Sequence, residues 1–235
     1  MKIYTGIRNY LNAFLHLLYP QVCFGCGTDQ IIKAMPLCYK CILDLPSTDF
    51  FSIKENPIEK IFWGRADIES AGALLFFTKD SLVQKLITQL KYNHNKKVGI
   101  LFGQLMGKAI AKEEKFKQID LMIPIPILNS KIQSRGYNQS QVIAIGMQQV
   151  WNKPIFCDVL IKRSWSNSQT KKNRNARLQQ VPDLFILQKP TSINGKHILL
   201  VDDVLTTGAT LEAAIATLMF GSPASISIAV AAYTL

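Results

Sequence analysis

From about residue 66 onward this chain repeats one pattern: a short unbroken apolar run, then apolar residues spaced three and four apart. Short runs suit buried strands, and the wider spacing suits amphipathic helices. "SAGALLFF" (70–77) is the first expected strand. "DSLVQKLITQLKY" follows, with Val83, Leu86, Ile87 and Leu90 on one helical face and Asp80 or Ser81 placed to cap it. A second helix is expected over "VGILFGQLMGKAIAKEE" (98–114), where the GxxxG-type spacing reads as helix packing. Then come a strand in "IDLMIPIPI", a helix in "QSQVIAIGMQQV", a strand in "FCDVLIK" and a strand in "HILLV". A helix over 210–219 and a strand in "SISIAVAAYTL" complete the series. Alternation of this kind predicts an α/β domain with a mostly parallel sheet flanked by helices.

The front of the chain reads differently. Ile3, Ile7, Tyr10, Phe14, Leu17 and Leu18 recur at helical spacing until Pro20, which predicts an amphipathic helix over 1–20. It would lie on a membrane or a partner, or dock on its own protein. Asn9, Asn12 and His16 interrupt any signal-type apolar run. Residues 44–57 carry turn formers without a sustained period. The expected organisation is a helix over 1–20, a cysteine module over 21–45, a linker over 46–65 and the α/β domain over 66–235.

Composition changes this picture in one respect. An apolar share of 48% excludes global disorder, while 27 Lys and Arg against 16 Asp and Glu give a net charge of +11. That balance favours anionic partners: nucleic acid, anionic lipid or phosphorylated small molecules. No apolar run is long enough to span a bilayer, and the expected location is cytoplasmic. The long basic stretch "KRSWSNSQTKKNRNARLQQ" (162–180) gathers Lys162, Arg163, Lys171, Lys172, Arg174 and Arg177 around Trp165. Cations for a phosphate chain with an aromatic face for an unpaired base suit single-stranded DNA. The competing reading is a basic lid over a smaller phosphorylated ligand.

Four of the five cysteines form two pairs, Cys23/Cys26 and Cys38/Cys41, in the spacing C-x2-C-x11-C-x2-C. A tight turn can aim both sulfurs of each pair at one point, and two turns complete a tetrahedron around Zn²⁺. Gly27 suits such a knuckle because glycine accepts a positive φ. Disulfides are disfavoured in a reducing cytoplasm, and redox pairs rarely come as two matched knuckles. Four thiolates leave no open position, so this zinc would be structural. Cys157 is expected to be a buried core thiol.

The densest chemistry lies in "HILLVDDVLTTGATLEAA" (197–214). An apolar strand runs into Asp202 and Asp203, then into Thr206, Thr207, Gly208, Ala209 and Thr210 at a helix start. Ligands of open parallel sheets bind beyond the carboxyl ends of the strands. Small residues with successive backbone N–H groups at a helix N-terminus cradle phosphate. The carboxylates suit a neighbouring diol, or a Mg²⁺ ion bridging to further phosphates. A sugar phosphate satisfies both halves. The bland alternative is a capped helix behind two solvated acids, which explains one threonine but not five cradle residues.

"LLVDDVLTTGATL" resembles the phosphoribosyl-pyrophosphate (PRPP) signature of type I phosphoribosyltransferases. With the double CxxC, "LKY" (90–92), "PIP" (124–126), "RGYNQ" (135–139) and "SQT" (168–170), the chain is identified as similar to the ComF family of competence proteins. The resemblance implies a type I phosphoribosyltransferase-like domain behind a small N-terminal zinc module with four cysteine ligands. It implies PRPP bound with Mg²⁺, the ribose hydroxyls on Asp202 and Asp203 and the 5-phosphate on Thr206 to Thr210. Lys131 and Arg135 would be charge partners of the pyrophosphate, and Lys91 a phosphate ligand. Tyr137, Ser166 and Gln180 depart mildly from the family pattern. The resemblance further implies a part in bringing single-stranded transforming DNA across the inner membrane, with a helicase-like partner and peripheral contact with the membrane machinery. Two alternatives follow from the lack of a recognisable acceptor pocket. One is an active transferase on an unidentified acceptor; the other is an adaptor with a vestigial site.

Overall fold

The computed structural model describes residues 21–32, 35–164 and 184–234. The chain divides into two compact units, the first ending at Leu45 and the second beginning at Pro46. The helix expected over 1–20 lies outside the described residues.

The first unit is built on its cysteines. Its one described helix, α1 (Tyr39–Leu43), starts at Cys38, whose Sγ accepts from the Cys41 amide. Among the described residues, Cys23, Pro36, Leu37, Cys38 and Cys41 are its buried apolar side chains.

The second unit carries a four-stranded sheet in the order β1 (Ser70–Phe77), β6 (Ser225–Thr234), β5 (His197–Leu205), β2 (Leu121–Pro124). All three pairings are parallel. Side chains alternate between its faces. Ile198, Leu200, Ile226, Ile228, Leu121 and Ile123 join a core with α2 (Pro57–Phe62) and α7 (Ala209–Leu218). Leu199 and Val201 turn to the other face, where α3 (Leu82–Tyr92), α4 (Lys96–Ile110) and α6 (Gln139–Gln148) pack. Ser81 caps α3 by accepting from the Gln84 amide, and Val83, Leu86, Ile87 and Leu90 form its buried face as expected. Among the described residues no helix is long and apolar enough to cross a membrane.

Four expectations need correction. The stretch 46–65 is no linker but part of the second unit. Phe50, Phe51, Ile58 and Phe62 are buried, and the Asn56 amide donates to the carbonyls of Phe50, Ile53 and Ala71, stapling the segment beside β1. "FCDVLIK" does not enter the main sheet: only β3 (Leu160–Lys162) is extended, paired antiparallel with β4 (Phe185–Leu187). Cys157 is exposed, because the chain bends at 157–159 before β3. The fourth correction is to the end of β5. It runs through the two aspartates to Leu205, because β6 continues beside it as far as Tyr233. An additional short helix, α5 (Asn129–Arg135), buries no residue and left no apolar period to read.

Candidate functional site

In the first unit the four ligand sulfurs Cys23, Cys26, Cys38 and Cys41 lie within 4.8 Å of one another. Cys26 Sγ and Cys38 Sγ are 3.6 Å apart. A tetrahedron with metal–sulfur bonds of about 2.3 Å has edges of about 3.8 Å, so the cluster can hold a metal ion such as zinc. Backbone amides already point at the sulfurs: Gly25 and Cys38 donate to Cys23 Sγ at 3.4 and 3.3 Å. Burial raises the Cys23 thiol, but the amides of Cys26, Cys38 and Gly25 outweigh it and bring it down to about 6. Cys41 moves up, through burial and then the neighbouring cysteines, and a bound metal would supply the charge that holds it as a thiolate. Gly27 adopts φ +78°, as the knuckle requires.

The second site forms where β2 and β5 part. The last β2–β5 contact is the Ile125 amide on the Val201 carbonyl at 2.9 Å; β2 then ends and its chain leaves for α5. Asp202 and Asp203 therefore have a strand on one side only, and half-buried carboxylates beyond it. α6 fills part of the opening. Asn138 caps that helix through the Ser140 amide and donates to the Ile125 carbonyl, and Ser140 Oγ donates to Asp202 Oδ1 at 2.8 Å. Asp202 Oδ1 also accepts from the Asp203 amide at 2.9 Å. Asp203 Oδ2 pairs with Lys91 Nζ at 3.0 Å.

Beyond Leu205 the chain turns through Thr206, Thr207 and Gly208 into α7. Gly208 holds φ +80°, and an added Cβ would lie 3.1 Å from Ile61 and 3.2 Å from Phe62. Among the described residues nothing accepts from the backbone N–H groups of Thr206, Thr207 or Gly208. Arg65 fixes the turn from outside, donating to the Thr207 carbonyl at 3.0 Å and pairing with Glu212 at 2.6 Å. It thereby neutralises the one acid in the first turn of α7, beside the open N–H groups.

Three distant motifs meet here. The Tyr137 hydroxyl donates to the Leu90 carbonyl at 2.6 Å, the Arg135 guanidinium lies 5.3 Å from the Tyr92 ring, and His94 Nδ1 is 2.8 Å from the Arg135 carbonyl. "LKY" and "RGYNQ" are thus docked on each other, and Lys91 and Ser140 reach from them to the aspartates. Lys131 is exposed on α5. Lys162 is within electrostatic reach of Asp202. It is half-buried, 5.5 Å from the Phe185 ring, and burial and Lys131 lower its pKa while Asp202 opposes them. Arg163 is exposed at the end of β3 and has a partner. Trp165, Lys171, Lys172, Arg174 and Arg177 lie outside the described residues. Sequence reasoning missed Ser140 and Arg65, whose partners are 62 and 142 residues away.

Withdrawal from water, and then the Asp203 charge, push the Asp202 carboxyl up to about 7 from an ordinary 3.8. Between those values the folded state holds a proton that the unfolded state has released, so stability falls as pH rises through that window. Asp202→Asn is expected to remove this dependence, melting several degrees above the wild type at pH 8 and much closer to it at pH 5. Melting curves at the two pH values check it; identical pH dependence in both proteins would remove Asp202 from the account.

Comparison with known proteins agrees with this construction. Residues 132–234 match the phosphoribosyl transferase domain. Competence protein ComFC of Bacillus subtilis is 26% identical over 152 residues, covering 64% of this chain and 60% of that protein. Competence protein F of Haemophilus influenzae is 23% identical over 208 residues, 84% of each chain. DNA utilization protein YhgH of Escherichia coli O157:H7 is 22% identical over 146 residues, 61% of this chain and 63% of that protein. With a parallel sheet flanked by helices and a four-cysteine cluster before it, the chain is a homologue of these competence and DNA utilization proteins and carries a phosphoribosyltransferase domain.

Proposed function

We propose that this protein binds PRPP, or a closely related sugar phosphate, and acts in the uptake of single-stranded DNA during natural transformation. The observation that carries the ligand is the pairing of two carboxylates with a turn of open N–H groups at the end of one strand. Ribose hydroxyls would donate to Asp202 and Asp203, and the 5-phosphate would lie on residues 206–210, favoured by the α7 dipole. Lys91, Lys131 and Arg135, together with Lys162, are the cations available to a pyrophosphate. Mg²⁺ would accompany that pyrophosphate and spread its charge. The DNA half of the reading leans on the names of the relatives and on the basic stretch 162–180. Trp165 would stack an unpaired base, with Lys171, Lys172, Arg174 and Arg177 following the phosphates. The work would take place on the cytoplasmic side of the inner membrane beside a helicase-like partner.

PRPP with Mg²⁺ is expected to raise the melting temperature. At one hundred times its dissociation constant, a ligand of the folded state alone adds about 2.7 kcal/mol. Asp203→Ala should abolish the shift. In cells, Asp202→Ala with Asp203→Ala should lower transformation frequency at unchanged protein level. A shift that survives Asp203→Ala, or normal transformation by the double variant, would overturn the reading.

A further inference from the structure

The carboxylate assigned to the ribose is not free: Asp203 Oδ2 already holds the Lys91 ammonium at 3.0 Å. The two side chains are 25% and 13% exposed, so water screens the pair only in part. Lys91 stands in the last turn of α3, whose Leu90 carbonyl accepts from Tyr137 and whose Tyr92 ring faces Arg135. These contacts tie the helix end, and the flexible four-carbon side chain is the part that moves most easily.

A pentose that binds Asp203 through its hydroxyls replaces a charged donor with neutral ones. Lys91 then needs a new anion. A 5-phosphate cannot supply it, because that group would sit on the 206–208 turn at the other end of the sugar. A phosphate group attached at C1 would leave the ring beside its 2- and 3-hydroxyls, where a displaced Lys91 can meet it. Asp202 is no new anion for Lys91: it already feels the Lys91 charge where that lysine now stands, and its Oδ1 accepts from Ser140 and from the Asp203 amide.

We propose that Lys91 is an exchangeable counter-ion that makes this site select pentoses phosphorylated at C1 as well as C5 over pentose 5-phosphates. Asp203 gives up the lysine only to a ligand that brings the lysine another anion. This rests on the sugar-phosphate reading and adds to it the basis for choosing one ligand over another.

Calorimetric titrations with PRPP and with ribose 5-phosphate, both in Mg²⁺, test it on the wild type, Lys91→Met, Lys91→Gln and Lys91→Arg. The wild type should prefer PRPP. Either neutral variant should reduce that preference by roughly tenfold or more, the worth of one charge-assisted hydrogen bond. The reduction should come from weaker PRPP binding, with ribose 5-phosphate held at least as tightly as before. Lys91→Arg should keep the wild-type order. Two neutral variants are used so that a folding defect in one does not decide the result. An unchanged preference, with both ligands weakened alike, would overturn the role of Lys91 and leave the site standing. A wild type that binds neither ligand would instead overturn the sugar-phosphate reading itself.

Discussion

Treating this protein with a chelator is expected to unfold the cysteine module while the unit beginning at Pro46 keeps its own melting transition. The argument starts from what the module lacks. Among the described residues its buried apolar side chains are three of the cysteines, Pro36 and Leu37, too few for a hydrophobic core. Units this small seldom fold without a disulfide, a metal or a partner. Here four sulfurs lie within 4.8 Å of one another, already turned inward by amides of the same short loops. A metal joining them contributes about 10–16 kcal/mol in comparable small modules at neutral pH, far more than Leu37 can supply. One zinc per chain should be found by elemental analysis, and Cys41→Ser should lose it and expose residues 21–45 to protease. Protein purified without chelator that contains no stoichiometric metal, yet resists protease in that segment, would refute the assignment.

The parts of the chain that could be read in advance are those whose physics is local. Val83, Leu86, Ile87 and Leu90 mark a buried face by spacing alone, and Ser81 marks the helix start. The aspartate pair and the threonine–glycine turn lie within nine residues of sequence, so their joint chemistry was visible, as was the cysteine spacing. What remained hidden depends on distant partners. Phe50, Ile58 and Phe62 join the core beside the sheet and Phe51 packs on Phe116, partners that no local period reveals, and the Asn56 staple requires three carbonyls from two segments. The α5 helix has no buried face to announce it. Lys162 looked like one more cation in a basic run, but on the short hairpin of β3 and β4 it is half-buried against Phe185 and feels the Asp202 charge. Ser140 and Arg65 are ordinary residues in sequence and become part of the site only through contacts across the fold.

Gly103→Ala is expected to destabilise the second unit by about 3 kcal/mol or more, at the upper end of what overpacking costs. Helix propensity alone predicts the opposite sign, since alanine is worth about 1 kcal/mol more than glycine inside a helix. Packing decides. Gly99, Gly103 and Gly107 line one face of α4, and that face lies against α6 at Val142, Ile143, Gly146, Met147 and the following Val150. A Cβ on Gly103 would lie 2.0 Å from the Ile143 carbonyl oxygen and 2.8 Å from Gly146 Cα and the Met147 nitrogen. All three are backbone atoms, so no side chain can swing aside and the two helices must separate. Separation would thin the packing on that face of the sheet and move the helix whose N-terminus holds Ser140 against Asp202. The melting temperature should fall by about 6–12 °C for a domain of this size. Gln104→Ala, one residue along the same helix, removes only an exposed contact with Gln149 and should stay within about 0.5 kcal/mol of the wild type. A Gly103→Ala protein that melts with the wild type would mean that α4 and α6 part without cost, and the close approach of their backbones would lose its structural meaning.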